Sequence, residues 1–235
     1  MQSRRSQLLA AVVLFASLTV PKLAVAGEIW LPGIGSGSKV TLKSMRERKY
    51  ETIVKQQYDF SCGSAALATL LTYHYQEPTT ERAAFDAMYE LGDQEKIRQL
   101  GFSLLDIKAY LESRGYQADG YRASLEALAS AGVPAIALIN VQGYKHFVVV
   151  KGMTGDEVLI GDPALGLRFI PQERFSAMWE NQILFIIRNR SEVGREHFNL
   201  DDEWKLLARA PLGDAVSRES LEAITIALPQ LNDFS

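Results

Sequence analysis

Cys62 is the single cysteine of the 235-residue chain, and it closes a polar approach that runs Gln56, Gln57, Tyr58, Asp59, Phe60, Ser61. Apolar residues then recur at 66, 67, 70 and 71, the spacing of one face of a helix. Ser61 suits the N-cap of that helix, which places Cys62 on its first turn. Unpaired N–H groups and the positive end of the helix dipole favour a thiolate over a thiol there. A nucleophile is therefore one reading of Cys62. A small buried core residue is the other, since free cysteine is among the most buried residue types.

A thiol nucleophile needs a base, and the base needs a group to orient it. The chain has three histidines. His74 stands twelve residues after Cys62 on the same expected helix, about 18 Å along the axis, so it cannot reach the thiol and is expected at the surface. His197 lies in an unpatterned polar tail. His146 heads the strand-like run His146 to Val150, directly after a polar turn. A base at a strand end facing a helix N-terminus across a cleft is a workable partner for Cys62. A strand-edge histidine satisfied by backbone has the same local pattern. The next strand ends in Gly161-Asp162-Pro163, so Asp162 lies one hairpin away, able to hold the imidazole Nδ1–H; as Asp-Pro it equally suits a turn. Three scattered histidines and one cysteine offer no metal-ligand spacing, and no cofactor is implied.

The opening of the chain speaks to compartment. Arg4 and Arg5 precede an apolar run from Leu8 to Val20 and then Ala24-Val25-Ala26: a basic region, a short hydrophobic core and a small-residue cleavage site. Residues 1–26 read as a signal peptide, with an uncleaved anchor as the competing reading. Export to a bacterial periplasm follows, with no stable membrane insertion after cleavage. An exported chain with one cysteine makes no internal disulfide, and a reactive role is one reason to keep a lone thiol in an oxidising space. The first 26 residues hold three basic and no acidic residues, leaving 22 basic against 28 acidic and a net charge of −6. Such a surface gives no basic footprint for nucleic acid or anionic lipid.

Residues 27–50 read as an irregular leader around Pro32-Gly33-Ile34-Gly35, followed by a basic cluster. From 51 to about 132 the signals are helical. Thr79 or Thr80 caps a segment stopped by Gly92, Ser103 and Asp106 form a capping box stopped by Gly115, and Ser124 starts a helix ended by Gly132. From 133 to 188 short β-branched runs alternate with turns: Val133–Ile139, His146–Val150, Val158–Ile160, Leu167–Ile170 and Ile183–Ile187. Helices first and strands second is an α+β order. The remainder, 189–235, reads as an extension that could be an appended arm, with one helix near Ser217–Leu228.

Gln56, the run Cys62-Gly63 with Ala65-Ala66-Leu67, the strand from His146, and Gly161-Asp162-Pro163 together resemble the C39 peptidases. These are papain-like cysteine proteases that remove double-glycine leaders from secreted peptides. The resemblance spans about residues 51–188 and is closest to the stand-alone C39-like proteins of bacterial functional-amyloid export systems. It implies a papain-like fold, with an N-terminal helical half packed on a C-terminal antiparallel sheet. It also implies Cys62 as nucleophile, His146 as general base, Asp162 as the orienting carboxylate and Gln56 as the oxyanion-hole side chain, with Gln57 a competing assignment. Gly63 would let the substrate carbonyl approach. Ser61 departs from the family, many members having Asp there. Members that lack the cysteine only bind leaders. The expected function is a periplasmic cysteine endopeptidase acting on an exported polypeptide, with an amyloid subunit or accessory protein as the expected client. The alternative is a catalytically silent binding or chaperone module for an export client. A thiol redox role has no Cys-x-x-Cys or resolving cysteine to support it.

Overall fold

The computed structural model describes residues 28–30, 39–41, 44–58 and 60–206. Strands β1 (Glu28–Trp30) and β2 (Lys39–Thr41) pair antiparallel. The segment read as irregular thus holds a short strand pair, and also helix α1 (Met45–Arg48). Three-residue strands are too short for a period-2 pattern to stand out. The signal-peptide reading and the helix expected near 217–228 lie outside the described residues.

The unit that begins at Met45 is built around helix α2 (Cys62–His74), nearly all of whose residues are buried. Its small residues, Ala65, Ala66 and Ala68, allow close approach on every side. Its buried hydroxyls are satisfied locally, with Ser64 donating to Ser61 O and Thr69 to Ala65 O. Packed with it are α3 (Glu81–Leu91) and α5 (Leu104–Ser113), with α4 (Gln94–Leu100) against α3. Thr80 caps α3, and Ser103 with Asp106 forms the expected capping box on α5. Helix α4, capped by Asp93, carries only seven residues and was not expected from the sequence.

Next in the chain come β3 (Ala118–Arg122), α6 (Leu125–Ala131), β4 (Ala135–Val141), β5 (Tyr144–Met153), β6 (Glu157–Asp162) and β7 (Gly166–Pro171). Helix α7 (Gln172–Met178) and strand β8 (Trp179–Ile187) complete a six-stranded antiparallel sheet ordered β3-β8-β4-β5-β6-β7. Successive side chains of β5 point to opposite faces. Phe147 and Val149 join the core under α2, while Val148 and Val150 pack with Leu128, Phe175 and Trp179 of α6, α7 and β8. Both faces of β5 are therefore buried, which is why the run from His146 reads as continuous apolar sequence. Strand β3 corrects the all-helical reading of 51–132: it is an edge strand containing Asp119 and Gly120, held by pairing Ala118–Arg122 with Ile183–Ile187.

Residues 191–206, in the described part of the extension, hold two helices. Helices α8 (Ser191–Glu196) and α9 (Asp201–Leu206) lie on the domain. Asn199 between them accepts the Met153 N–H at 3.0 Å and donates its own N–H to Lys151 O at 2.7 Å. Gly152 leaves room for this contact, since a Cβ there would stand 2.6 Å from Asn199 Oδ1.

Candidate active site

Cys62 is the first residue of α2, as the residue pattern predicts, and is 9 % exposed. Ser61 precedes it at the N-cap position but does not cap the helix with its side chain. Its hydroxyl turns instead toward the Glu81 carboxylate of α3, while accepting the Tyr58 N–H at 3.2 Å. The expected cap fails because donation to the Glu81 carboxylate fixes the hydroxyl's direction, and its oxygen accepts the Tyr58 N–H in place of a first-turn helix amide. A Cβ on Gly63 would stand 2.9 Å from Phe102 Cβ and 3.4 Å from a Phe147 ring carbon, so the packing of the core itself calls for glycine here.

His146, two residues into β5, is buried and bonds Asp162 at the end of β6: Nε2 to Oδ1, 2.8 Å. The sequence reading had Asp162 on Nδ1; the carboxylate engages the other nitrogen. With Nε2 taken, Nδ1 is the nitrogen left for the thiol, and it has no hydrogen-bond partner of ordinary geometry among the described residues. Burial is the largest single influence on the imidazole and opposes its charge. Hydrogen bonding and charge from Asp162, joined by Cys62, outweigh it together and raise the His146 pKa to about 9. Asp162 is held in turn by the Ala164 and Leu165 N–H groups at 2.9 and 3.1 Å, with Arg168 Nη1 at 3.5 Å. Burial pushes its pKa up, but the His146 bond and charge and those two amides bring it below the usual carboxylate value. Asp162 is at once the turn residue and the partner of the histidine.

Gln56 is brought to the same place by backbone. Its N–H donates to Pro163 O at 3.0 Å, one residue beyond Asp162. Its side-chain amide donates to Tyr58 O at 3.2 Å through one N–H, which leaves the second N–H for another acceptor. Gln57 is exposed, and its N–H is taken by Glu81 Oε1 at 2.9 Å. Beside the thiol opens a cleft of about 810 Å³ whose lining includes Phe60, Phe102, Leu104, Leu138 and Phe147. A thiol next to an imidazole that is itself gripped by a carboxylate can exist as a thiolate–imidazolium pair, the reactive form for attack on a carbonyl.

The other histidines stand apart. His74 ends α2, twelve residues from Cys62, as its place on the helix requires. It is fully buried rather than at the surface, because α8 covers it and its Nδ1 contacts His197 O at 2.7 Å. No group of three or more His, Cys, Asp or Glu among the described residues could hold a metal ion.

A family model, described as the Peptidase C39 family, matches residues 50–191, the span that contains all four of these residues. The chain belongs to the C39 peptidase family. It is a cysteine peptidase. Among similar proteins, a "Probable functional amyloid protease FapD" of Pseudomonas aeruginosa is 42 % identical over 77 % of this chain and 78 % of its own length. One of the same name from Pseudomonas fluorescens is 37 % identical, over 81 % of this chain and 87 % of its own length. Of solved structures, the peptidase domain of Streptococcus ComA is matched with 22 % identity and a TM-score of 0.49, covering 58 % of this chain and 96 % of that one.

Residue types and spacing point to Gln56, Cys62, His146 and Asp162, but not to Glu81. Thr80-Glu81 reads as an ordinary helix start, and nothing local ties a first-turn glutamate to a loop twenty residues earlier.

Proposed function

We propose that this C39 peptidase works in the periplasm and cleaves an exported polypeptide of a functional-amyloid system, with Cys62 as nucleophile. The observation that carries the catalytic reading is the buried His146–Asp162 pair, in which the imidazole carries its pKa to about 9 beside the lone thiol. The signal-like first 26 residues and the names of the Pseudomonas relatives support the compartment and the client class. Among the described residues no helix is long and apolar enough to cross a membrane.

In this reading the Cys62 thiolate attacks the scissile carbonyl carbon. The negative charge that develops on oxygen is met by the free N–H of the Gln56 amide and the Cys62 backbone N–H. His146, protonated at Nδ1, gives that proton to the leaving amine as the tetrahedral intermediate collapses to a thioester. The neutral imidazole then takes a proton from water, whose oxygen attacks the thioester and releases Cys62. Asp162 keeps the ring oriented and stabilises the imidazolium without exchanging a proton. The apolar cleft beside Cys62, rimmed by Phe60, Leu100 and Leu105, offers purchase to apolar side chains of the client. The test is to incubate the purified protein with proteins co-exported from the same operon and to read fragments by mass spectrometry. Intact clients after prolonged incubation would overturn the assignment of the client class.

Two further outcomes are expected from the site. Gln56→Ala should lower kcat by about 10²–10³ with little change in KM, because its bond is made mainly in the transition state. Gln57→Ala should be nearly neutral, and an equal loss there would show the oxyanion residue to be misassigned by one position. The second outcome concerns pH. The reactive ion pair needs a protonated imidazole, so kcat/KM should fall as pH rises through about 9. In Asp162→Asn the acid-stabilising charge is gone, and that basic limb should move to lower pH. A limb unmoved in Asp162→Asn would remove Asp162 from the orienting role.

A further inference from the structure

The approach to Cys62 is held by a carboxylate from a neighbouring helix. Glu81 is the first residue of α3 and only 3 % exposed. A negative side chain is favoured at that helix position, and α3 runs for eleven residues. Its Oε1 accepts the Gln57 N–H at 2.9 Å and, from the same oxygen, the hydroxyl of Ser61, which is itself fully buried. Ser61 has a single proton to donate. Tyr58 O at 2.9 Å competes for it, and the charged acceptor is the stronger. One oxygen therefore pins both ends of residues 57–61, with Gln56 immediately before them and Cys62 immediately after.

We propose that Glu81 is a positioning residue of the reaction, fixing the Gln56 amide relative to the Cys62 thiol; the inference rests on the reading of Gln56 as the oxyanion donor. The acidic group comes from the next helix and reaches the loop through the serine hydroxyl. The three residues Gln57, Ser61 and Glu81 thus form one device: a donor at each end of the loop and one shared acceptor.

Side-chain length and acceptor geometry then decide which variants work. Glu81→Gln keeps reach and an oxygen that can accept both bonds. Glu81→Asp keeps the charge but is one methylene too short to reach the loop. Glu81→Ala removes the acceptor altogether, leaving the Gln57 N–H without its partner and the Ser61 hydroxyl only Tyr58 O, so loss of folding is guarded against by reading Glu81→Asp instead. A misplacement on the scale of 1 Å can lower a rate by about 10²-fold. We expect Glu81→Asp and Glu81→Ala to lose about that much kcat with KM within twofold, and Glu81→Gln to retain more than either.

The decisive measurement is a double-mutant cycle with Gln56→Ala, with thermal melts confirming that each variant is folded. If Glu81 acts through Gln56, adding Glu81→Asp to Gln56→Ala should lower kcat by less than tenfold further. Multiplicative losses, or wild-type kcat in Glu81→Asp, would overturn this inference while leaving the role of Gln56 standing. So would Glu81→Asp outperforming Glu81→Gln, since charge rather than reach would then matter. Wild-type kcat in Gln56→Ala alone would overturn both.

Discussion

Cys62→Ala should abolish client cleavage, with kcat falling by a factor on the order of 10⁶, the loss seen when a catalytic nucleophile is removed from a comparable triad. His146→Ala should do the same, because without the base neither thiolate formation nor proton delivery to the leaving amine is supported. The two losses should not add, since each variant already disables the same unit. Their effects on stability should differ. Cys62 lies at the edge of a buried cluster and alanine leaves little cavity. His146 has a folded pKa of about 9 against 6.5 unfolded, so its pairing stabilises the fold fully below pH 6.5 and loses that contribution as pH rises through 9. At pH 6 the His146→Ala variant should melt below wild type, and by pH 10 the gap should narrow. Matched fragment patterns from wild type and Cys62→Ala in mass spectrometry, or full complementation by Cys62→Ala in cells, would sink the enzymatic role of the thiol. Client binding without cleavage in both variants is the expected residue of function.

What could be read from the residues divides by range. Thr80, Ser103 with Asp106, and Ser124 mark helix starts because their side chains bond amides three residues on, a contact written entirely in local sequence. The strands β4 to β8 show as β-branched runs because most are buried on both faces. Strand β3 does not, since Asp119 and Gly120 acquire strand geometry only by pairing with β8. Helices α4 and α7 are too short to display a helical period. At the site, Cys62, His146 and Asp162 emerge from their residue types and flanking turns, yet the nitrogen that Asp162 engages depends on the approach of two strand ends. Ser61 reads as a cap and is not one, because its hydroxyl is turned to donate to Glu81 and its oxygen accepts from Tyr58 N–H instead of a helix amide. His74 reads as exposed because what buries it comes from residue 197.

The same limit of range hides a buried charge pair, and with it a large expected stability effect. Lys151 of β5 and Glu203 of α9 have side chains only 0 % and 3 % exposed, with Nζ 2.8 Å from Oε1. The contact is a charge pair rather than a well-aligned hydrogen bond, since neither Glu203 oxygen finds a partner of hydrogen-bond geometry. Lys151 also donates to Thr52 O at 3.2 Å and lies 5.6 Å from the centre of the Tyr73 ring. Burial nonetheless holds its pKa below that of a free lysine, only partly offset by Glu203. Removing the carboxylate leaves a cation in the core, and breaking such a pair costs about 3–5 kcal/mol. Glu203→Ala should therefore lower the melting temperature by about 10 °C, at roughly 2–4 °C per kcal/mol for a domain of this size. Chains ended after Arg190 should lose as much, because they also lose the two Asn199 bonds to β5 and the His197 carbonyl that covers His74. Replacing both partners together, Lys151→Met with Glu203→Leu, should recover most of the loss, since an apolar pair of similar volume carries no desolvation penalty. The folded fraction of each should cleave client at the wild-type rate, for the Lys151 ammonium pairs with Glu203 and donates to Thr52 O, while His146 is held by Asp162. A Glu203→Ala variant that melts with wild type would mean that Lys151 sheds its proton or finds water, and that α9 is held by Asn199 and the Phe169–Trp204 stack instead.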